Sequence, residues 1–540
     1  MRIAALAAVA FALAAPSAAG AAPGKIAVGV REGASVDYVS SLVAGVTQGV
    51  VDESLEALDA LVVTVPDVAT AIEDLQTVPD LDYVEPVNGT RSLAFEPNDP
   101  LRFSQWYLTA TQAFDFWDTR PDLGLAVRVA VIDSGIDGGH PEFHGRIRAT
   151  RSFVTGPANV DTIGHGTAVA GEIAAALDNA QGIAGVGFPV ELLIAKVVRD
   201  DSSISVQAEA EAIKWAVENE AQVINLSLGG IRDPNDPTRD TYSALEQAAI
   251  EYAYENGAVV VAATGNSIPG PYRYASYPAA LSHVIGVSAL DQTDRTPAFS
   301  NRDAVFNDLA APGVGIVSTF PVALTDPVCG WPGYNICARS PNGSGSGTSF
   351  SAPLASAAAA LLLAQRPELT PSQVMALLER SAADIATRGR DAATGNGRLD
   401  IAAALGAALA LPPPADRFEV NDDAGSAAHT IFGSRRHQLD ATVDAFDDPR
   451  DVYRVYLRAG TRATLRLDGP ARRKFTLVLW RPGTSHVTAI TAIAVRGPIV
   501  AYRTAVDPQL TVRAPRRGWY FVEVRAPKSG GGPYRLVITK

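Results

Sequence analysis

A chain of 540 residues is too long for one ordinary domain, and its 47% hydrophobic and 19% charged content is that of a globular protein. The formal charge of −13, from 45 Lys and Arg against 58 Asp and Glu, argues against a nucleic-acid partner, which needs a basic face. It suits instead a soluble, exported protein.

In chain order, Met1-Arg2 supplies a small positive start, Ile3 to Ala15 an apolar run, and Ser17 to Ala22 a stretch of small residues. This is the pattern of a secretory signal peptide, predicted here over 1–22. The run is short for a bilayer span, and no transmembrane helix is expected in the mature protein. Residues 23–95 hold KIAVGV (25–30) and ALVVTV (60–65) as strands, VDYVSSLVAGV and DVATAIEDLQTV as helices, and VPDLDYVEPV (78–87) as a closing strand. The order suits a small α+β unit.

Residues 96–408 alternate strand and helix. RVAVI (128–132), VELLIAKV (190–197), VINLSL, AVVVAAT and VIGVSAL read as strands. GTAVAGEIAAAL, 205–220, 242–256 and an Ala-rich run from Thr348 to Gln365 read as helices. Such alternation predicts an α/β fold, a parallel sheet flanked by helices, which binds ligands beyond the carboxyl ends of its strands. Cys329 and Cys337 are the only two cysteines. In an exported protein a pair this close reads as a disulfide, the alternative being two free thiols. Three consecutive prolines mark 409–416 as a linker. Beyond it, DVYRVYLRAG, ATLRLDG, KFTLVLW, GWYFVEVRA and YRLVIT alternate in polarity and predict an antiparallel β-sandwich over 417–540.

Four segments place polar residues where packing alone would not. Asp133 ends a strand in VAVIDSGIDGGHPEF, and His165 opens a helix between two glycines in DTIGHGTAVAG. Ser349 stands near the start of the Ala-rich helix in GSGSGTSFSAP, and Asn266 follows a strand in VVVAATGNS. Singly these are a turn residue, a loop histidine, an N-cap and an αL asparagine. Together, in the order Asp, His, Ser on an alternating α/β scaffold, they point to a serine hydrolase. A lipase-type G-x-S-x-G elbow is not present, since Ser349 sits in GTSFS.

At VAVIDSGID, GHGTAVAG and SGTSFSAP, with NLSLGG (225–230) and ATGNS, the chain resembles the subtilase family of serine peptidases. The likeness runs from NDP (98–100) and QWYL (105–108) to TGNGRLDIAAAL (394–405). It implies a subtilisin-like fold and peptide-bond hydrolysis with Ser349 as nucleophile, His165 as general base and acid, and Asp133 holding the imidazole. Asn266 is the implied oxyanion donor, and Ser227, Leu228 and Gly229 the strand that pairs with polypeptide substrates. Ala262 to Gly265 are expected to line the primary pocket, and the stretch Leu324 to Arg339 reads as an insertion. The resemblance also implies a structural Ca²⁺ held by Asp99, Glu142 and Asn179 with carbonyls of Ala176, Gln181 and Ile183, with Glu142 standing where the family usually has Asp. No cofactor is implied for catalysis.

Residues 23–95 resemble the family's inhibitory propeptide, an intramolecular partner removed by self-cleavage between about Asn88 and Glu96. The tail, through FEVNDD (418–423), DDPRDVYRVYLRAG (447–460) and RGWYFVEV (517–524), resembles bacterial pre-peptidase C-terminal domains. The expected product is a secreted monomer, released or held at the cell envelope.

Overall fold

The structure is a computed structural model. It describes residues 24–31, 33–55, 59–75, 78–87, 95–117, 127–233, 236, 238–267, 274–339, 345–407, 416–418, 421–424, 428–433, 435–444, 448–485, 487, 490, 492–526 and 531–540. The signal-peptide expectation and residues 409–415 of the expected linker lie outside these. The chain divides into two compact units, Met1–Leu93 and Ala94–Lys540.

The first unit contains β1 (Gly24–Val30), α1 (Val36–Thr47), β2 (Val50–Leu55), β3 (Ala60–Val65), α2 (Val68–Leu75) and β4 (Leu81–Pro86). Its four strands form a sheet in the order β2-β3-β1-β4 with antiparallel neighbours. Ile26, Val28, Leu61 and Val63 from the sheet meet Val39, Val43, Ala71 and Leu75 from the helices in one core. The sequence reading lacked β2. That strand, VVDESL, is an edge strand with a bulge between Val51 and Glu53, and it exposes Val50, Asp52, Glu53 and Ser54, so no alternating apolar face marks it.

The second unit opens with the short helix α3 (Trp106–Ala110) and then builds a seven-stranded parallel sheet. Its elements are β5 (Val127–Asp133), β6 (Ile147–Ser152), α4 (His165–Ala174), β7 (Val190–Lys196), α5 (Val206–Glu218), β8 (Val223–Leu226), α6 (Ala244–Glu255), β9 (Val259–Ala263), β10 (Val284–Leu290) and β11 (Leu309–Pro312). They are followed by α7 (Ala352–Gln365), α8 (Pro371–Ser381) and α9 (Ile401–Gly406). The strand order β11-β10-β9-β8-β5-β7-β6 is that of a subtilisin-like α/β fold. The five strands read from sequence are the inner ones. The edges β6 and β11 were not foreseen, because an outer strand needs no continuous apolar run: β6 is IRATRS and β11 only four residues.

Strands β8 to β10 are buried along their whole length because helices cover both faces. One face carries α7, whose residues Ala352 to Ala364 are all buried. The stretch Thr348–Gln365 is long and apolar enough to cross a membrane and is alone in that among the described residues, but 89% of it lies inside the protein. It is a core helix, apolar on all sides because it touches protein on all sides.

The tail forms two sheets. The strands are β12 (His429–Ile431), β13 (Arg436–Val443), β14 (Arg450–Leu457), β15 (Arg462–Asp468) and β16 (Phe475–Trp480), then, after the short α10 (Ala492–Arg496), β17 (Ile499–Ala505), β18 (Gln509–Arg513), β19 (Gly518–Arg525) and β20 (Gly532–Thr539). The orders are β12-β14-β19-β16-β17 and β13-β20-β15-β18. All pairs are antiparallel except β12 with β14, a departure from the fully antiparallel sandwich expected. Inward-facing Val455, Leu465, Leu477, Val522 and Leu536 make the core between the sheets. The tail belongs to the same compact unit as the α/β sheet, although the sequence read it as a module beyond a linker.

Candidate active site

From β5 the chain moves outward to β6 and back to β7, then crosses to β8 on the other side of β5. The carboxyl ends of β5 and β8 therefore flank a topological switch point, where a cleft opens. Asp133 is the last residue of β5 and is 1% exposed. His165 is the first residue of α4, after Gly164 in the left-handed region (φ 91°). Its Nδ1 lies 2.9 Å from each Asp133 carboxylate oxygen, so Nδ1 carries a proton and Nε2 is left as the basic nitrogen. Burial lowers the His165 pKa, but the charge and hydrogen bond of Asp133, with the charge of Asp161, outweigh it, and the net shift is upward.

Ser349 lies in the single turn Thr348–Phe350 that leads into α7. The ring of the next residue, Phe350, stands 5.9 Å from that of His165. Among the described residues no hydrogen bond joins Ser349 to His165, as is common before substrate closes such a site. The Ser349 carbonyl accepts a hydrogen bond from Ser227 Oγ at 2.8 Å, so the end of β8 clamps the serine turn directly. Asn266 Oδ1 accepts from the Thr348 backbone N–H at 2.9 Å and from Thr348 Oγ1 at 3.1 Å. A backbone N–H can only donate, so the amide oxygen faces Thr348 and Nδ2 is the end free to donate into the cleft.

Ser349, Asn266, Thr348, Leu228 and Gly229 share a cleft of about 310 Å³ with Ser276, Asn301 and Arg239. Of the expected wall Ala262 to Gly265, Ala263 and Gly265 reach the cleft. Ala262 packs into the core behind it, and Thr264 Oγ1 bonds the Val287 carbonyl, as the alternation of a strand requires. Gly229 must be glycine: a Cβ there would lie 2.4 Å from the Tyr277 carbonyl oxygen.

Asp161 escaped the sequence reading. Its Oδ1 accepts from Ser134 Oγ and the backbone N–H groups of Ile163 and Gly164, and its Oδ2 from Thr167 N–H and Oγ1, all at 2.7–3.0 Å. Ser134 Oγ in turn accepts from Gly166 N–H. One buried carboxylate thus joins the residue after Asp133 to the turn that presents His165. An acidic residue four positions before a helix start is the signal that was available.

Cys329 and Cys337 are disulfide-bonded, which resolves the open choice between a bridge and free thiols. The loop they close carries Tyr334, whose hydroxyl donates to Glu142 Oε1 at 2.7 Å.

The expected calcium ligands do gather, but they do not fit the ion. Glu142 Oε1 also accepts from Ile183 N–H, and Oε2 from Asn179 Nδ2. Asp99 accepts from the N–H groups of Asp178 and Asn179, and Asn179 Oδ1 from Gln181 N–H. A Cβ on Gly182 would meet the Tyr334 hydroxyl at 1.7 Å and Glu142 Oε1 at 2.2 Å, so the longer Glu142 side chain and the tyrosine fill the interior of the 176–183 loop. Inward-pointing N–H and O–H donors replace the cation as the partner of the carboxylates, and the carbonyls of Ala176, Gln181 and Ile183 are left without that role.

A parallel sheet with a carboxylate–imidazole pair at its switch point and a serine at an adjoining helix start defines a serine hydrolase of the α/β type. Residues 124–397 match the Subtilase family. The chain is 37% identical to subtilisin DY of Bacillus licheniformis over 283 residues, covering 52% of this chain and 91% of that protein. It is 33% identical to thermitase of Thermoactinomyces vulgaris (55% and 94% covered) and 34% to subtilisin E of Bacillus subtilis strain 168 (62% and 78%). The chain belongs to the subtilase family and is a serine-type endopeptidase.

Proposed function

We propose that the chain is a secreted endopeptidase that cleaves polypeptides through an acyl-enzyme on Ser349. Ser349 Oγ attacks the scissile carbonyl while His165 Nε2 takes the hydroxyl proton. Asp133 holds the Nδ1 proton and stabilises the imidazolium. The carbonyl oxygen gains the negative charge, and Asn266 Nδ2 and the Ser349 backbone N–H donate to it. His165 then gives its proton to the leaving amine, water takes the amine's place, and the steps reverse to free the acid and the enzyme. The extended backbone at 227–229 pairs with the substrate chain, and the cleft beside Gly265 and Ser276 takes the side chain before the scissile bond.

The observation that carries this reading is the 2.9 Å contact of His165 Nδ1 with both Asp133 oxygens beside the cleft that holds Ser349 and Asn266. The precursor reading adds export by residues 1–22, inhibition by 23–95 and an accessory tail of the pre-peptidase C-terminal kind. Relatives that are subtilisins, together with the α+β fold of the first unit, support it. A fluorophosphonate probe tests the central claim: it should label the wild-type chain on Ser349 and leave Ser349→Ala unlabelled. A purified processed protein that neither labels nor cleaves casein would refute it.

A further inference from the structure

We infer that the C-terminal β-sandwich is a working part of the substrate pocket, fixing the pocket's far wall through Arg232, Phe306 and Asp303. The inference rests on reading the cleft as the substrate site of an endopeptidase.

The chain of contacts starts at the pocket. Ser276 lines it, and the segment that carries Ser276 is tied at three points. Ser276 N–H donates to the Thr264 carbonyl, Tyr277 pairs through both backbone groups with Gly230, and Ala275 N–H donates to Asp303 Oδ2 at 3.2 Å. Asp303 is buried, and its other oxygen accepts from the Val305 and Phe306 N–H groups at 2.9 and 3.4 Å. Asp303 Oδ2 also receives Arg232 Nη1 at 3.0 Å. Arg232 itself follows the Gly229–Ile231 edge of the pocket by one residue.

Arg232 is 2% exposed, so its guanidinium depends on protein partners. Two of them belong to the tail or are shared with it. Nη2 lies 3.4 Å from the carbonyl of Val487, a sandwich residue. The guanidinium also stacks 4.5 Å over the ring of Phe306. Arg450, the first residue of β14, places a second guanidinium 4.7 Å from that same ring. One phenyl ring of the α/β part thus serves one cation from each side of the domain junction. A desolvated cation–π contact is a strong one, and the electrostatic attraction fixes both distance and orientation. Disconnecting the sandwich leaves Phe306 with one cation and Arg232 without its carbonyl, which loosens Asp303 and the Ala275–Tyr277 segment. Arg232 and Arg450 act through other groups and are positioning residues.

The test compares full-length wild type, Arg450→Ala and Arg450→Lys on peptide p-nitroanilides with phenylalanine or alanine before the scissile bond. Arg450 lies outside the catalytic groups. Arg450→Ala should raise KM for the phenylalanine substrate about fivefold, leave kcat within about twofold and change the alanine substrate little, because only the larger side chain reaches the far wall. Arg450→Lys should restore most of the loss. The rate of fluorophosphonate labelling of Ser349 should not change. Wild-type KM in Arg450→Ala for both substrates would overturn the inference, and so would an equal loss on both that Lys does not repair. Labelling lost together with binding would mean that the contact holds the fold and not the pocket, and also overturns it. A wild-type protein that does not label at all would sink the peptidase reading instead.

Discussion

At the scale of single residues, the site depends on carboxylates that never touch substrate. Asp161 gathers five donors from two pieces of chain, Ser134 and the stretch 163–167, so its loss disturbs the turn that aims His165. Its charge also helps hold the His165 pKa above the ordinary 6.5. Only the neutral imidazole accepts the serine proton, so kcat/KM should rise with pH through a midpoint above 6.5. In Asp161→Asn the supporting charge is gone. The acid limb of the pH–rate profile should then move toward lower pH, and kcat should fall about ten- to a hundredfold from misplacement. An unmoved limb would show that Asp161 only fills space. Asn266→Ala removes the donor facing the cleft and should lower kcat about 10²–10³-fold, with KM little changed, in steady-state kinetics.

At the scale of elements, α5 and α6 are joined by an acidic pair, Glu209 and Glu246, both buried. Burial pushes both carboxyls up, and Glu246 reaches about 7. A carboxyl that holds its proton more tightly in the fold than in the open chain stabilises the fold at low pH. That contribution declines as pH rises from the ordinary 4.5 through about 7. Glu246→Gln, placed in the inactive Ser349→Ala chain to prevent self-digestion, should therefore melt about 2 °C or more higher at pH 8 and unchanged at pH 4 by calorimetry. The loop after α4 makes a second case. Protein donors occupy the carboxylate oxygens of Glu142 and Asp99, so a chelator should shift the melting temperature of the same chain by less than about 1 °C. Tyr334→Phe, which removes a hydrogen bond to a carboxylate worth about 1.5–3 kcal/mol, should lower it by about 2–3 °C. A large chelator effect would restore the calcium expectation. The strands missed from sequence, β2, β6, β11, β12, β13, β17 and β18, are all edge strands, which carry charge or stay short because one side lacks a partner.

At the scale of the whole molecule, the boundary between the two compact units, Leu93 to Ala94, falls inside the stretch from Asn88 to Glu96 where self-cleavage is proposed. In a protease-free host, wild type should yield a mature N-terminus within that stretch, read by intact mass and N-terminal sequencing. Ser349→Ala should keep the first unit attached. An identical mature N-terminus in both would assign the cut to another protease. The second unit behaves differently: its sandwich and its α/β sheet belong to one compact body, so the tail is expected to stay with the mature enzyme.

The sequence alone determined the α/β alternation, the inner strands and the core helix at α7, and it singled out Asp133, His165, Ser349 and Asn266 as candidates. Those features follow from local periodicity and from short motifs whose chemistry is carried by a few adjacent residues. Only the tertiary structure decided that Asp161 ties two of those motifs together. The same holds for the amide end that Asn266 turns to the cleft, the cation's place taken by Tyr334 and Glu142, and the sharing of Phe306 by two arginines. Each of these depends on residues apart along the chain, from 27 positions for Ser134 and Asp161 to 192 for Glu142 and Tyr334. Contacts of that kind leave no period in a sequence, because their energy comes from burial and from donor and acceptor geometry that exist only once the strands have been placed side by side.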